Sequence, residues 1–264
     1  MQWALISADD FGLSEAVDDG ITEALTRGYV QTTSALVCDD ACRRRVARHG
    51  RRIHGRVGLH LQLTDGLPIS DPSRLRSCVG PDGRFPRRRK DLGPLDPDEV
   101  LREWRAQLAT LCGLGIEPSH LDSHHDVHCL PGAREAYVQL ARESRLRARG
   151  FSGWVTLQLR AAGVPCADRC VFPWSEGTAT WECLTDTLRK AGARLREGAL
   201  VEVACHPARV DAELVRRSTY TDPRLEELAL VCDRAFPERL ADVGFRLAPL
   251  ARVRRTRVGR VHLA

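Results

Sequence analysis

The chain has 264 residues, 43% of them hydrophobic, which suits one domain with a substantial core. Its formal net charge is +5, and only Lys90 and Lys190 among its basic residues are lysines. The densest basic run, at residues 87–90, contains no aromatic residue. We interpret it as a solvated loop and expect no nucleic-acid partner.

The N-terminus and the cysteines indicate the compartment. The N-terminus enters an apolar strand without the pattern of a signal peptide, and no apolar run is long enough to cross a bilayer. The chain has ten cysteines, none of them spaced as C-x-x-C. Cys166 and Cys170 could form a disulfide or a metal clip, but reduced and mostly buried thiols are favoured. We therefore expect a cytoplasmic protein with no membrane partner.

Strands and helices alternate along the chain, without repeats. Strands are predicted at 3–8, 32–37, 56–63, 118–123, 199–205 and 244–248. Helices are predicted at 14–27, 39–49, 97–113, 132–144, 182–195 and 222–235. Residues 66–95 contain five prolines and should form an irregular excursion that carries substrate contacts. Residues 146–180 give no clear pattern.

The first strand is followed by a pair of carboxylates. An apolar run at residues 3–8 precedes Asp9 and Asp10, and Ser14 then opens a helical pattern. The two carboxylates could cap that helix or bind a metal ion. We favour metal binding, because two carboxylates exceed what a cap needs.

Residues 57–64 place leucines on one strand face and polar side chains on the other. Leu59, Leu61 and Leu63 share the first face, whereas His60, Gln62 and Thr64 share the second. This pattern fits the wall of a barrel that is covered by helices outside and holds a site inside.

The segment 120–128 holds four of the nine histidines of the chain. Imidazole and carboxylate are the ligands of hydrolytic metal sites. In an extended strand, three of these side chains would share one face. They are His120, Asp122 and His124.

Another apolar strand, at residues 200–205, is followed by His206 and Pro207. Glu202 lies on the same strand face as His206 but roughly 13 Å away, at about 3.3 Å per residue. It is therefore expected to act deeper in the barrel rather than on that imidazole.

Five segments together resemble the YdjC/ChbG family of carbohydrate deacetylases, in order from residue 3 to about 250. They are SADDFGLS at 7–14, GLHLQLT at 58–64, HLDSHHDVH at 120–128, EVACHP at 202–207 and RRSTYTDPRLEEL at 216–228. The resemblance implies an α/β fold, a TIM-like (β/α) barrel with distortion of the barrel left open, as a single domain over residues 1–264.

The resemblance also implies the chemistry, which is removal of an N-acetyl group from an amino sugar. One divalent ion would be held by Asp10, His60 and His124. Asp9 would be the general base, and His206 would protonate the leaving amine. Mg²⁺ is the family expectation, and a carboxylate with two imidazoles would also suit Zn²⁺.

Further positions in these segments are expected to support the ligands or contact substrate. They are His120, Asp122, His125, Asp126, His128, Glu202, Arg217 and Tyr220, and for Arg217, Tyr220 and Arg224 a surface role stays open. Asp126 replaces the third consecutive histidine of relatives. This departure favours a small acceptor, with Asp126 pairing a second, cationic amine, over chito-oligosaccharides.

Two alternatives belong to other classes. A metal-dependent phosphoesterase or amidohydrolase barrel commonly has a His-x-His pair on its first strand, and here that strand ends in Asp9 and Asp10. A non-catalytic sugar-binding relative would be expected to lack some of the implied site residues, and all are present. The expected partner is an N-acetylated amino sugar, and a homodimer stays open.

Overall fold

The computed structural model describes residues 1–174, 177 and 179–249, in which strands alternate with helices. The strands are β1 (Gln2–Phe11), β2 (Thr32–Ala35), β3 (Val57–Leu61), β4 (His120–Ser123), β5 (Arg147–Ala148), β6 (Arg169–Val171), β7 (Leu200–Cys205) and β8 (Phe245–Leu247). The helices are α1 (Glu15–Thr26), α2 (Asp40–His49), α3 (Pro97–Gly113), α4 (Ala133–Ser144), α5 (Gly153–Ala161), α6 (Trp181–Gly192), α7 (Ala212–Arg217), α8 (Asp222–Cys232) and α9 (Phe236–Ala241). The predicted α/β class is confirmed.

The chain divides into two compact units, one of which comprises Met1–Ser34 and the described residues from Ala167 onward. In this unit β1 pairs in parallel with β7, from Trp3 beside Leu200 to Ala8 beside Cys205. β6 continues the pairing on the far side of β7, and β8 pairs in parallel with β1. The middle of β1 is fully buried, as expected for a strand with apolar residues on both faces.

The other unit comprises Ala35–Cys166. β3 and β4 pair in parallel, with Leu59 beside Leu121. Leu59 and Leu61 are fully buried, as the alternation of the strand predicted. α3 packs on α4, where the rings of Trp104 and Tyr137 meet edge to face with centroids 6.2 Å apart.

Residues 66–95 contain two short 3-10 helices, Pro72–Arg74 and Arg89–Asp91, and otherwise no helix or strand. Two acidic side chains of α3 fix this segment. The buried carboxylate of Glu103 accepts the backbone N–H groups of Ile69 and Ser70 at 2.9 and 2.8 Å. Glu99 accepts both the N–H and the hydroxyl of Ser77 at 2.7 Å. The segment is therefore irregular yet anchored, because two carboxylates of α3 satisfy several of its backbone donors.

Five short elements were not predicted individually. β5, α5 and β6 lie in the stretch that gave no clear sequence pattern, α7 precedes the segment predicted as a helix at 222–235, and α9 follows it. That predicted helix is α8, which ends at Cys232 because Asp233 adopts an extended conformation and its side chain accepts the N–H of Ala235. Within the described residues, no helix is both long and apolar enough to span a membrane. No disulfide joins the cysteines there.

Candidate active site

Asp9 and Asp10 lie at the end of β1, and both are buried. Asp10 adopts a φ of 74°, in the left-handed region that few non-glycine residues occupy. Such strain persists where the surroundings determine it, often at functional sites. The Asp10 carboxylate accepts a hydrogen bond from the guanidinium of Arg224 at 2.8 Å, and Arg224 is itself buried. Arg224 therefore places a buried positive charge beside the Asp10 carboxylate.

The cap of α1 is Ser14 rather than the carboxylate pair. Its hydroxyl accepts the N–H of Val17 at 3.3 Å. In the first turn, the N–H of Ala16 is accepted by Asp211, and the N–H of Gly12, before the helix, is accepted by Asp18. The alternative reading of Asp9 and Asp10 as helix caps is therefore not the arrangement observed.

His60 projects from β3 beside Asp122 of β4, its register partner. The Asp122 carboxylate lies 2.8 Å from Nδ1 of His60 and 3.0 Å from the guanidinium of Arg149, and all three side chains are buried. Burial would raise the pKa of Asp122, but Arg149 and then His60 hold it well below its usual range. An ionised Asp122 accepts the Nδ1 proton, so the lone pair on Nε2 is available for a metal ion.

The chain turns sharply after β4. The strand ends at Ser123, so His124 does not continue the strand face predicted for His120, Asp122 and His124. His124 instead begins the short helical segment His124–Cys129, in which His125 and Asp126 have φ values of 55° and 51°. The rings of His60 and His124 lie edge to face with centroids 5.4 Å apart.

His125 and Asp126 follow His124 in this segment. The hydroxyl of Thr64 lies 3.0 Å from Nδ1 of His125. Burial raises the pKa of the Asp126 carboxyl, although the charge of Arg149 opposes this.

His120 and His128 are both buried. Nδ1 of His120 is 2.9 Å from the hydroxyl of Ser119, and its ring occupies the space that a side chain on Gly58 would need. Nδ1 of His128 lies 2.5 Å from the hydroxyl of Ser123, which also accepts the backbone N–H of His128. Burial lowers the pKa of His128 to about 3, so its imidazole is neutral near pH 7.

His206 directly follows β7 and is partly exposed. Its backbone N–H donates to the Glu227 carboxylate at 2.5 Å. Its ring lies near the rings of Phe172 and Tyr220, at centroid distances of 6.4 and 5.7 Å. Glu202 is fully buried in the middle of β7, in register with Leu5, as its predicted deeper position requires.

Arg217 and Tyr220 contact neighbouring segments. Arg217 donates to the carbonyl oxygen of Leu13 at 3.0 Å, just beyond the end of β1. The Tyr220 hydroxyl lies 2.5 Å from Glu227 and 2.7 Å from the carbonyl oxygen of Trp174. Burial and the Glu227 charge raise the pKa of Tyr220, so it remains a hydrogen-bond donor.

Among the residues that the structure describes, buried His and Asp side chains could hold a metal ion. In the unit of residues 35–166, His60 and His124 are the available imidazoles, and Asp122 already accepts from Nδ1 of His60 and orients that ring. In the other unit, Asp10 offers a carboxylate at the end of β1. One carboxylate and two imidazoles with positions left for other ligands is the donor set of hydrolytic metal centres.

Sequence reasoning did not assign Arg149 or Glu227. Arg149 follows a strand of two residues, too short to show alternation. Glu227 looks like any acidic residue of an amphipathic helix, yet it is 1% exposed. A charge at a position that helical periodicity places on the apolar face, beside Leu228, was the one available signal.

Comparison with known proteins decides the family. The model of the YdjC-like protein family matches residues 4–242. The chain belongs to the YdjC family. A carbohydrate deacetylase of Geobacillus stearothermophilus is 34% identical over 93% of this chain and 96% of its own. A chitooligosaccharide deacetylase of Serratia marcescens is 31% identical over 92% and 96%.

A solved structure supports the fold. It is the crystal structure of an Enterococcus faecalis V583 protein provisionally named a cellobiose-phosphate cleavage protein. The two chains are 28% identical and superpose with a TM-score of 0.82 over 96% of this chain and 99% of the other. The predicted distorted (β/α)-barrel class is confirmed.

Proposed function

We propose that this YdjC family member is a divalent-metal-dependent carbohydrate N-deacetylase, which hydrolyses an acetamide on an amino sugar to acetate and a free amine. Two relatives that match nearly the whole chain are named as deacetylases of carbohydrates. The observation that carries the proposal is a buried set of interactions, in which Arg149 pairs with Asp122 and Asp122 contacts Nδ1 of His60. It gives His60 the tautomer that a metal ligand needs.

Asp10, His60 and His124 would hold the ion. When bound, a divalent ion polarises the acetamide carbonyl and acidifies the attacking water. Asp10 would contribute the carboxylate of this set, and it pairs with the buried guanidinium of Arg224. Two imidazoles beside one carboxylate suit Zn²⁺, whereas the family resemblance favours Mg²⁺.

Asp9 would accept the proton of the attacking water. It is adjacent to Asp10 in sequence and is also buried, so both carboxylates lie at the end of β1. A general base of this kind is worth ~10²–10⁴-fold in rate.

His206 would donate a proton to the amine nitrogen as the carbon–nitrogen bond breaks. An amide nitrogen is a poor leaving group without that proton. Partial exposure leaves the His206 imidazole accessible, while its backbone N–H is bound to a buried carboxylate. The substrate we propose is a small N-acetylated amino sugar, with Asp126 beside a second amine.

The proposal is tested by measuring metal content together with acetate release from a panel of N-acetylated amino sugars, from monosaccharides to chito-oligosaccharides. We expect release from at least one acceptor, loss of activity after chelation, and recovery with Mg²⁺ or Zn²⁺. Release that survives complete removal of metal would overturn the metal dependence. Metal-loaded protein that binds these sugars without releasing acetate would indicate a non-catalytic relative.

A further inference from the structure

The buried carboxylate of Glu227 joins the ends of several elements. Its Oε2 accepts the backbone N–H of His206, and its Oε1 accepts the hydroxyl of Tyr220, both at 2.5 Å. Tyr220 lies between α7 and α8, and its hydroxyl is also 2.7 Å from the carbonyl oxygen of Trp174, which follows β6. One acidic side chain of α8 thereby holds the residue after β7 and the loop before its own helix.

His206 needs such a partner because the strand no longer holds it. The parallel pairing of β7 with β1 ends at Cys205, beside Ala8. Pro207 follows His206 and has no N–H to donate. The orientation of the His206 backbone is thus fixed at its N–H by Glu227.

Glu227 also fixes one wall around the imidazole. The Tyr220 ring meets the His206 ring at 69°, with centroids 5.7 Å apart. Because Glu227 accepts the Tyr220 hydroxyl, it sets the place of that ring as well as of the His206 backbone. A side chain that is 1% exposed and uses both oxygens in this way is placed to act through His206.

We infer that Glu227 is a positioning residue for His206, which holds the imidazole where it protonates the leaving amine. The inference rests on the proposed function of His206. A displacement of about 1 Å at a catalytic group can cost on the order of 10²-fold in rate. We therefore expect Glu227→Ala to lower kcat by about 10–100-fold while KM changes by less than about threefold. Glu227→Gln keeps one acceptor oxygen and should retain more activity than Glu227→Ala.

The experiment is a double-mutant cycle with Glu227→Ala and His206→Ala, measured on one acetamide and on the matching acetyl ester. Glu226→Ala is the control, since Glu226 is the neighbouring carboxylate on α8 and is exposed. If Glu227 acts through His206, its replacement should have little further effect once His206 is alanine. The loss should also be larger for the amide than for the ester, as expected for weakened proton donation.

The outcomes separate the inference from the function on which it rests. A normal rate for His206→Ala would refute the role of His206 itself. A large effect of His206→Ala with fully additive losses in the double variant would overturn the positioning role of Glu227. Thermal unfolding and metal content are measured for each variant. If Glu227→Ala does not fold, the same cycle is run with Glu227→Gln, whose independence from His206 would equally overturn the inference.

Discussion

His128 provides a prediction in which the magnitude follows from burial. The imidazole is fully buried, and burial lowers its pKa from 6.5 to about 3. In the unfolded chain the same group titrates near 6.5. Between pH 6.5 and pH 3, the unfolded state therefore binds more protons at this position than the native state does. The contribution of His128 to stability is full above pH 6.5 and is lost as the pH falls toward 3.

The size of this contribution is set by the difference between the two pKa values. At about 1.4 kcal/mol for each pH unit, the linkage amounts to about 5 kcal/mol over the whole window. Replacing His128 by Asn keeps a polar atom near the Ser123 hydroxyl and removes the titration. The free energy of unfolding of His128→Asn should therefore fall less steeply between pH 6.5 and 4 than that of the unmodified protein.

The assay is urea unfolding followed by circular dichroism at several pH values from 4 to 8. His54→Asn is the control, because His54 is exposed. Equal pH slopes for His128→Asn and the unmodified protein would refute the reasoning. So would an imidazole resonance of native His128 that titrates near pH 6.5. A neutral His128 would also make it an unsuitable proton donor near pH 7.

The remaining predictions concern the proposed reaction and the buried carboxyl group of Glu227. His206→Ala should keep its metal and lose ~10²–10⁴-fold in kcat on acetamides, with a smaller loss on acetyl esters, and loss of metal would instead make it a ligand. Asp10→Asn should bind metal much more weakly, whereas Asp9→Asn should keep metal and lose turnover; normal metal binding by both would contradict the ligand set. Asp126→His should reduce the preference for cationic over neutral acceptors, and an unchanged ranking would exclude the pairing. Burial raises the pKa of Glu227 to about 7, so its contribution to stability is present below pH 4.5 and lost as pH rises to about 7. Glu227→Gln should therefore abolish up to about 3 kcal/mol of stability change over that window in denaturation measurements, and an unaltered pH dependence would refute this.

The sequence predicted those parts of the fold that depend on local pattern. The apolar run before Asp9 could form only a short buried strand, and Ser14 marked the start of α1, which it caps. Alternation in residues 57–64 predicted that the leucines of β3 are buried, and the polar side chains on the other face are buried as well. β5 has two residues and β6 has three, so neither is long enough for a periodicity to appear. Their positions depend on pairing with β4 and β7, which are remote in sequence.

The same distinction, between local sequence pattern and contacts remote in sequence, applies to the candidate site. Strand alternation alone grouped His120, Asp122 and His124. The ligand set of Asp10, His60 and His124 came from the resemblance to the YdjC family. What these patterns could not predict are the arginines that balance the buried carboxylates. Arg224 pairs with Asp10 from a helix more than two hundred residues away, and a second arginine pairs with Asp122.

These two arginines have different consequences for metal binding. Asp122 pairs with Arg149 and contacts Nδ1 of His60, on the side of the ring away from Nε2. Arg149 could therefore still compensate the charge of Asp122 if Nε2 of His60 bound a metal ion. Arg224 instead donates directly to a carboxylate oxygen of Asp10, the residue that would supply the anionic ligand. Breaking a buried pair by removing the cation leaves an uncompensated charge that costs about 3–5 kcal/mol. A bound divalent ion would supply positive charge at that same carboxylate. Arg224 and a bound ion would thus be alternative sources of positive charge beside the buried Asp10 carboxylate.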